Sequence, residues 1–151
     1  MKTGKTIDEI SIGEEASFTK TITEVDIAMF AAMTGDFNPL HMDEVYAQKT
    51  RFGRRLAHGG IAASLVAPLM GMKVPGLGTI ALEFHYKYLA PVFPGDTITC
   101  IGIVTDKDTE RNIVSLRYTL TNQNGIKVIE CYAKVMPPKK KELNLLQVNN
   151  S

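Results

Sequence analysis

The chain changes rhythm at about residue 80. Before it, apolar residues cluster at helical spacing; after it, they alternate with polar ones at a period of two. The opening exception is Glu14 to Thr21, a first strand that is polar outside Ala16 and Phe18. Thr23 has the chemistry of an N-cap, and Asp26 three residues later favours a helix N-terminus by its charge. Val25, Ile27, Ala28, Phe30, Ala31 and Ala32 then fill a short, largely apolar helix that Gly35 ends. Residues 36 to 41 read as a shaped loop. Asp43 caps a further short helix, with Val45, Tyr46 and Ala47 as its small apolar side. The longest helical pattern runs from Ile61 to about Lys73 and is apolar nearly all round, which marks a buried helix. Pro68 lies inside it and kinks it or shifts its bonding locally.

In the second half, Ile80, Leu82, Phe84, Tyr86 and Tyr88 alternate with Ala81, Glu83, His85 and Lys87. A break at Pro91 and Pro94-Gly95-Asp96 precedes a strand from Thr97 to Asp106, with Thr97, Thr99, Ile101 and Ile103 on one side. Val114, Leu116, Tyr118 and Leu120 line a third strand. Asn122 to Gly125 is a hairpin turn, and Ile129, Cys131, Ala133 and Val135 supply the inner face of a fourth. Four long strands joined by short connections imply an antiparallel sheet, and the simplest packing wraps it around the single buried helix. The fold class is α+β, with one domain over residues 1–138. Residues 139–151 read as a basic tail, ordered only where a partner covers Leu143, Leu145 and Leu146.

Composition narrows the function more than the fold. The chain has 151 residues, 44% hydrophobic and 22% charged, with a net charge of +1. That balance fits a globular core and argues against nucleic acid or an anionic membrane as a partner. No apolar run is long enough to span a bilayer, and Met1 to Ile10 lacks a signal peptide's apolar segment, so a cytoplasmic location is expected. Cys100 and Cys131 fall in strand segments and read as reduced core residues. The three histidines and two cysteines show no metal-ligand spacing, and no cofactor is expected.

The chemistry concentrates in Thr34-Gly35-Asp36-Phe37-Asn38-Pro39-Leu40-His41. Asp36 and His41 each hold a water molecule or accept its proton, and an imidazole near neutrality also returns one. Gly35 opens backbone angles closed to other residues, and Pro39 restricts both itself and Asn38. The same residues are also ordinary turn grammar, so the segment alone leaves a structural reading open. Arg51, Arg54 and Arg55 form a basic cluster that suits ligand phosphates or, equally in kind, a solvated face. His58-Gly59-Gly60 opens the buried helix and leaves its first backbone N–H groups accessible. Ser64 inside that helix bonds a carbonyl or packs.

The run Phe30-Ala-Ala-Met-Thr-Gly-Asp-Phe-Asn-Pro-Leu-His41 resembles the signature of the (R)-specific enoyl-CoA hydratases, also called MaoC-like or hydratase 2 proteins. His58-Gly59 and Pro91-Val92-Phe93-Pro94-Gly95-Asp96 continue the resemblance, which covers about residues 12 to 136; Met33 departs slightly from the usual pattern. The resemblance implies the hot-dog fold, a long helix wrapped by a curved antiparallel sheet. It also implies hydration of trans-2-enoyl thioesters, reversible as dehydration of 3-hydroxyacyl thioesters. Asp36 and His41 become the catalytic pair, the Gly59 backbone N–H the oxyanion donor, and Gly35, Asn38 and Pro39 the loop's support. Arg51, Arg54, Arg55, His58 and Ser64 are weaker substrate-binding candidates, and His58 is expected to shape the helix entrance. Gly60 stands where many relatives carry a bulkier apolar residue, which bears on pocket shape. The implied partners are an acyl-CoA or acyl-carrier-protein thioester and a second copy of the chain. A thioesterase, or an acyl-binding subunit of a hetero-oligomer, are the competing readings within the fold.

Overall fold

Alternation of apolar and polar residues builds five strands, β1 (Glu15–Thr21), β2 (Ile80–Tyr88), β3 (Thr97–Asp108), β4 (Ile113–Thr121) and β5 (Lys127–Met136). The computed structural model describes residues 4–148, with side chains to residue 144. The strands form one antiparallel sheet in the order β1-β3-β4-β5-β2. Its register aligns one transverse row, Phe18–Cys100–Leu120–Ile129–Tyr88, across all five strands. The inner face carries Ile98, Cys100, Val104, Val114, Leu116, Tyr118, Leu120, Ile129, Cys131 and Val135, all buried. In β3 the buried set is therefore the one opposite to Thr97, Thr99, Ile101 and Ile103.

Against this face lie α4 (Gly59–Ala63) and α5 (Val66–Met72), which bury Ile61, Ala62, Ala63, Leu65, Val66 and Leu69. The pattern predicted one helix; the structure has two short ones in line. Pro68 is the cause. It has no N–H for the Ser64 carbonyl, and its ring crowds that carbonyl. The Ser64 carbonyl instead accepts from Ala67 N at 2.9 Å, a tighter turn, and the helix breaks at Ser64–Leu65.

The connections also depart from the simplest reading. β2 does not pair with β3. It lies at the far edge beside β5, so residues 89–96 carry the chain across the sheet. Its alternating apolar set is correspondingly open, with Ile80, Leu82 and Tyr88 all exposed. The crossing segment is anchored at both ends. The Ala57 N–H donates to the Val92 carbonyl at 2.8 Å. The buried carboxylate of Asp96 accepts from the Phe93 N–H at 2.9 Å and from the Gln123 amide at 2.8 Å.

Three further helices precede the central pair: α1 (Glu24–Thr34), α2 (Pro39–Met42) and α3 (Glu44–Gln48). In α3 only Ala47 is buried, while Val45 and Tyr46 face outward. The basic tail is ordered as α6 (Lys140–Val148), with Leu143 buried within the chain itself. The side chains of Leu145 and Leu146, and residues 1–3 and 149–151, lie outside the described residues. Among the described residues no helix is long and apolar enough to cross a membrane.

Candidate active site

Capping chemistry sets the site. The Thr23 hydroxyl accepts from the Asp26 N–H at 3.2 Å, and the Asp26 carboxylate accepts from the Thr23 N–H at 2.8 Å. This capping box fixes the start of α1. Lys20 bonds the same carboxylate at 2.8 Å and, with the Thr23 amide, holds its pKa down at about 2. At the other end Gly35 adopts φ +79°, a left-handed cap that favours glycine, and its N–H reaches the Ala31 carbonyl at 2.8 Å. The chain therefore turns sharply into Asp36.

The expected loop is shorter than residues 36 to 41. Asn38 caps α2 by accepting from the Leu40 N–H at 3.0 Å, and Pro39 occupies the first helical position. Proline there has its φ already set and lacks only an N–H that would go unpaired. His41 consequently stands on a helical turn. Asn38 braces Asp36 as well, through its backbone: the Asn38 N–H donates to Asp36 Oδ1 at 3.2 Å.

Two histidines complete the geometry. His41 Nδ1–H donates to the Leu56 carbonyl at 3.0 Å, which leaves Nε2 as the lone-pair nitrogen of the neutral ring. His58 is 2% exposed, and its Nε2–H donates to the Asp36 backbone carbonyl at 2.9 Å. The His58 ring lies against His41 with centroids 3.9 Å apart and against Phe30 at 5.0 Å. A carboxylate oxygen of Asp36 and one ring nitrogen from each of His41 and His58 all lie within 4.8 Å of one another. The same atoms are the set that a cation would use, although sequence spacing had not indicated one. His58 Nε2, however, is the N–H committed to a carbonyl, and His58 Nδ1 is buried with no partner.

The site opens on a cleft of about 310 Å3 between the start of α4 and the end of the sheet. His41, Leu56, Ala57, Gly59, Ala62, Tyr88 and Ile129 line it, together with Arg51 and Phe52. Gly59 begins α4, and among the described residues its N–H has no backbone acceptor. Because α4 is only five residues long, that N–H acts as a local donor and not as the pole of a long helix dipole. A Cβ on Gly59 would stand 2.8 Å from the Tyr88 ring, so the tyrosine leaves no room for a side chain at this position.

The remaining candidates separate clearly. Arg51 lines the cleft. Arg54 lies over the Phe93 ring at 3.7 Å. Arg55 is bound to Glu24 at 2.7 Å and Glu44 at 3.3 Å, and the Glu24 bond raises its pKa above the usual arginine value. Ser64 donates to the Ile61 carbonyl at 2.7 Å and does not face the cleft. Gly60 admits the Phe30 ring, whose Cζ would lie 2.5 Å from a Cβ there, so the missing side chain is filled from within the protein. Burial pushes the thiol of Cys131 up to about 11 and that of Cys100 up to about 12, which leaves neither as a nucleophile. Sequence reasoning missed Leu56, which acts through its carbonyl, and gave Tyr88 only a place in an alternating strand. Its position at the end of the alternating row was the available signal.

A helix pair wrapped by a curved antiparallel sheet defines the hot-dog fold, and here a carboxylate and two imidazoles meet beside its cleft. Residues 9–124 match the MaoC like domain, and the chain belongs to that family. It is 41% identical to an (R)-specific enoyl-CoA hydratase of Rhodospirillum rubrum over 131 residues, 87% of this chain and 90% of that one. It is 32% identical to a 3-hydroxybutyryl-CoA dehydratase of Methylorubrum extorquens, over 92% of this chain and 88% of that one. Among solved structures, the unliganded R-hydratase PhaJ1 of Pseudomonas aeruginosa superimposes with a TM-score of 0.85 at 34% identity, covering 91% and 88% of the two chains.

Proposed function

We propose that this protein adds water to trans-2-enoyl-CoA thioesters to give (R)-3-hydroxyacyl-CoA, and removes it in reverse. The observation that carries this reading is the approach of the Asp36 carboxylate to within 4.8 Å of His41, whose ring lines an apolar cleft. Two hydrogen bonds of about 2.8 Å to one water span roughly 4.5 Å, so a single water fits between them. As its oxygen bonds to C3, the water gives one proton to the pair. Electron density moves from the C2–C3 bond onto the thioester oxygen, where the Gly59 N–H stabilises it. The pair then returns a proton to C2 from the same side, so both new bonds form on one face.

Arg51, which lines the cleft, is the residue best placed for the CoA phosphates. The single-chain cleft is open, and β2 presents an unpaired edge with Ile80, Leu82 and Tyr88 exposed. A homodimer that covers this edge is the arrangement we favour.

The test is hydration of crotonyl-CoA, followed as loss of the enoyl-thioester absorbance, with chiral analysis of the product and a free-thiol assay. Wild type should give the (R)-alcohol without thiol release. Asp36→Asn and His41→Gln should each fall by about two or more orders of magnitude in kcat. Thiol release without hydration would replace this reading with a thioesterase.

A further inference from the structure

Arg55 makes four interactions, and it does not line the cleft. Its Nη2 donates to Glu24 on the first turn of α1 at 2.7 Å, and its Nε to Glu44 at the start of α3 at 3.3 Å. Its backbone N–H also reaches Glu44, at 3.3 Å. The fourth contact runs to the site itself: Nη1 donates to the backbone carbonyl of His41 at 3.4 Å. The next residue continues the grip. The Leu56 N–H donates to the Leu40 carbonyl at 3.1 Å, and the Leu56 carbonyl accepts from His41 Nδ1–H at 3.0 Å. Residues 55 and 56 thus hold the His41 backbone from one side and its ring from the other.

We propose that Arg55 is a positioning residue for His41, a planar clamp that ties α1, α2 and α3 together so that the histidine's Nε2 stays aimed at the water shared with Asp36. The inference rests on the hydratase reading above. A guanidinium suits the task because its donors leave in fixed directions within one plane, and three acceptors from three helices are met at once. Lysine offers one compact ammonium and cannot reproduce that fork. Glu24 and Glu44 are 59% and 47% exposed, so their ion pairs add little to stability. What they supply is a fixed orientation for the guanidinium. This assignment removes Arg55 from the group expected to meet substrate phosphates and leaves Arg51 there.

The two roles separate in kinetics. Arg55→Met, Arg55→Lys, the double variant Glu24→Gln/Glu44→Gln and Arg51→Gln would be compared with wild type on crotonyl-CoA, beside 15N spectra of the His41 imidazole. Arg55→Met should lower kcat by about 10- to 100-fold, with KM within about twofold of wild type. Its His41 spectrum should change from a single Nδ1–H tautomer to a mixture. Arg55→Lys should stay low, the double carboxylate variant should reproduce part of the loss, and Arg51→Gln should raise KM instead. An Arg55→Met enzyme with unchanged kcat and raised KM would overturn the proposal and return Arg55 to the phosphates. So would a lowered kcat with the wild-type His41 tautomer. If Arg55→Met does not fold, the Lys and double carboxylate variants decide by the same criteria. If wild type itself hydrates nothing, the functional reading fails, and the His41 spectrum still decides the clamp.

Discussion

Replacing Gly60 by alanine tests whether the packing behind the proposed Asp36–His41 pair matters as the geometry says. The added Cβ would stand 2.5 Å from Phe30 Cζ and 3.1 Å from Cε2. Carbon atoms rest at about 3.5–4.0 Å, so the ring or the helical turn must move by roughly 1 Å. Overpacking of this kind costs about 1–3 kcal/mol. Alanine recovers about 1 kcal/mol over glycine in a helix, and the balance is a destabilisation of about 0–2 kcal/mol. Phe30 lies against His58, and His58 against both His41 and the Asp36 carbonyl, so the displacement reaches the site. We expect kcat to fall by about tenfold. Urea denaturation would measure the stability, and the crotonyl-CoA assay the rate. The double variant Gly60→Ala/Phe30→Leu makes room for the methyl group, and it should be more stable than the two single changes predict by about 0.5–3 kcal/mol. A Gly60→Ala protein that is more stable than wild type and fully active would refute the reasoning.

Two further outcomes follow from groups outside the cleft. Tyr118 is fully buried on the inner face of the sheet and its hydroxyl has no partner among the described residues, so Tyr118→Phe should stabilise the fold by about 1–3 kcal/mol in urea titrations; a loss of stability would mean that an ordered water holds the hydroxyl. Asp26 has a folded pKa of about 2 against an ordinary 3.8, so its contribution is complete above pH 3.8 and vanishes as pH falls through 2. With Lys20 more than a third exposed, that contribution is discounted to about 1 kcal/mol. Asp26→Asn should therefore differ from wild type at pH 6 and converge with it near pH 2, and curves that stay parallel across that window would reject the linkage.

Much of the fold was legible because period and capping are local. Thr23, Gly35, Asp43 and the alternation of Val114 to Leu120 each act on neighbours a few residues away, and each element stands where those residues place it. The errors lie where distance intervenes. The side chains from Ile80 to Tyr88 alternate as a core strand does, yet β2 is an edge, because strand order depends on a crossover that leaves no periodic mark. Pro68 and a local shift in bonding were visible, but that shift falls four residues earlier, on the Ser64 carbonyl, where it divides the helix in two. Leu143 suggested a missing partner, whereas the chain covers it with its own residues.

The site shows the same division in a sharper form. Asp36, His41 and Gly59 stand out in the sequence as candidates, since the proposed acid–base chemistry and an accessible N–H need particular residue types. Three of the contacts that hold them do not, and those three share one trait. His58 donates to the carbonyl of Asp36, His41 to the carbonyl of Leu56, and Arg55 to the carbonyl of His41. Every acceptor is main chain, which any residue provides, so the sequence displays the donor and conceals its target. An arginine whose target is hidden then looks like a phosphate ligand, and a histidine whose target is hidden looks like a shaping residue. The consequence is physical as well as interpretive. Carbonyl acceptors keep their chemistry when the residue carrying them changes, so a substitution at Leu56 that leaves the backbone in place keeps the His41 bond, although the buried side chain also lines the cleft. His58 and Arg55 have no such freedom. Apart from the proposed reacting groups Asp36 and His41 themselves, loss of activity around this cleft should therefore follow the donors His58 and Arg55 more closely than the acceptor Leu56.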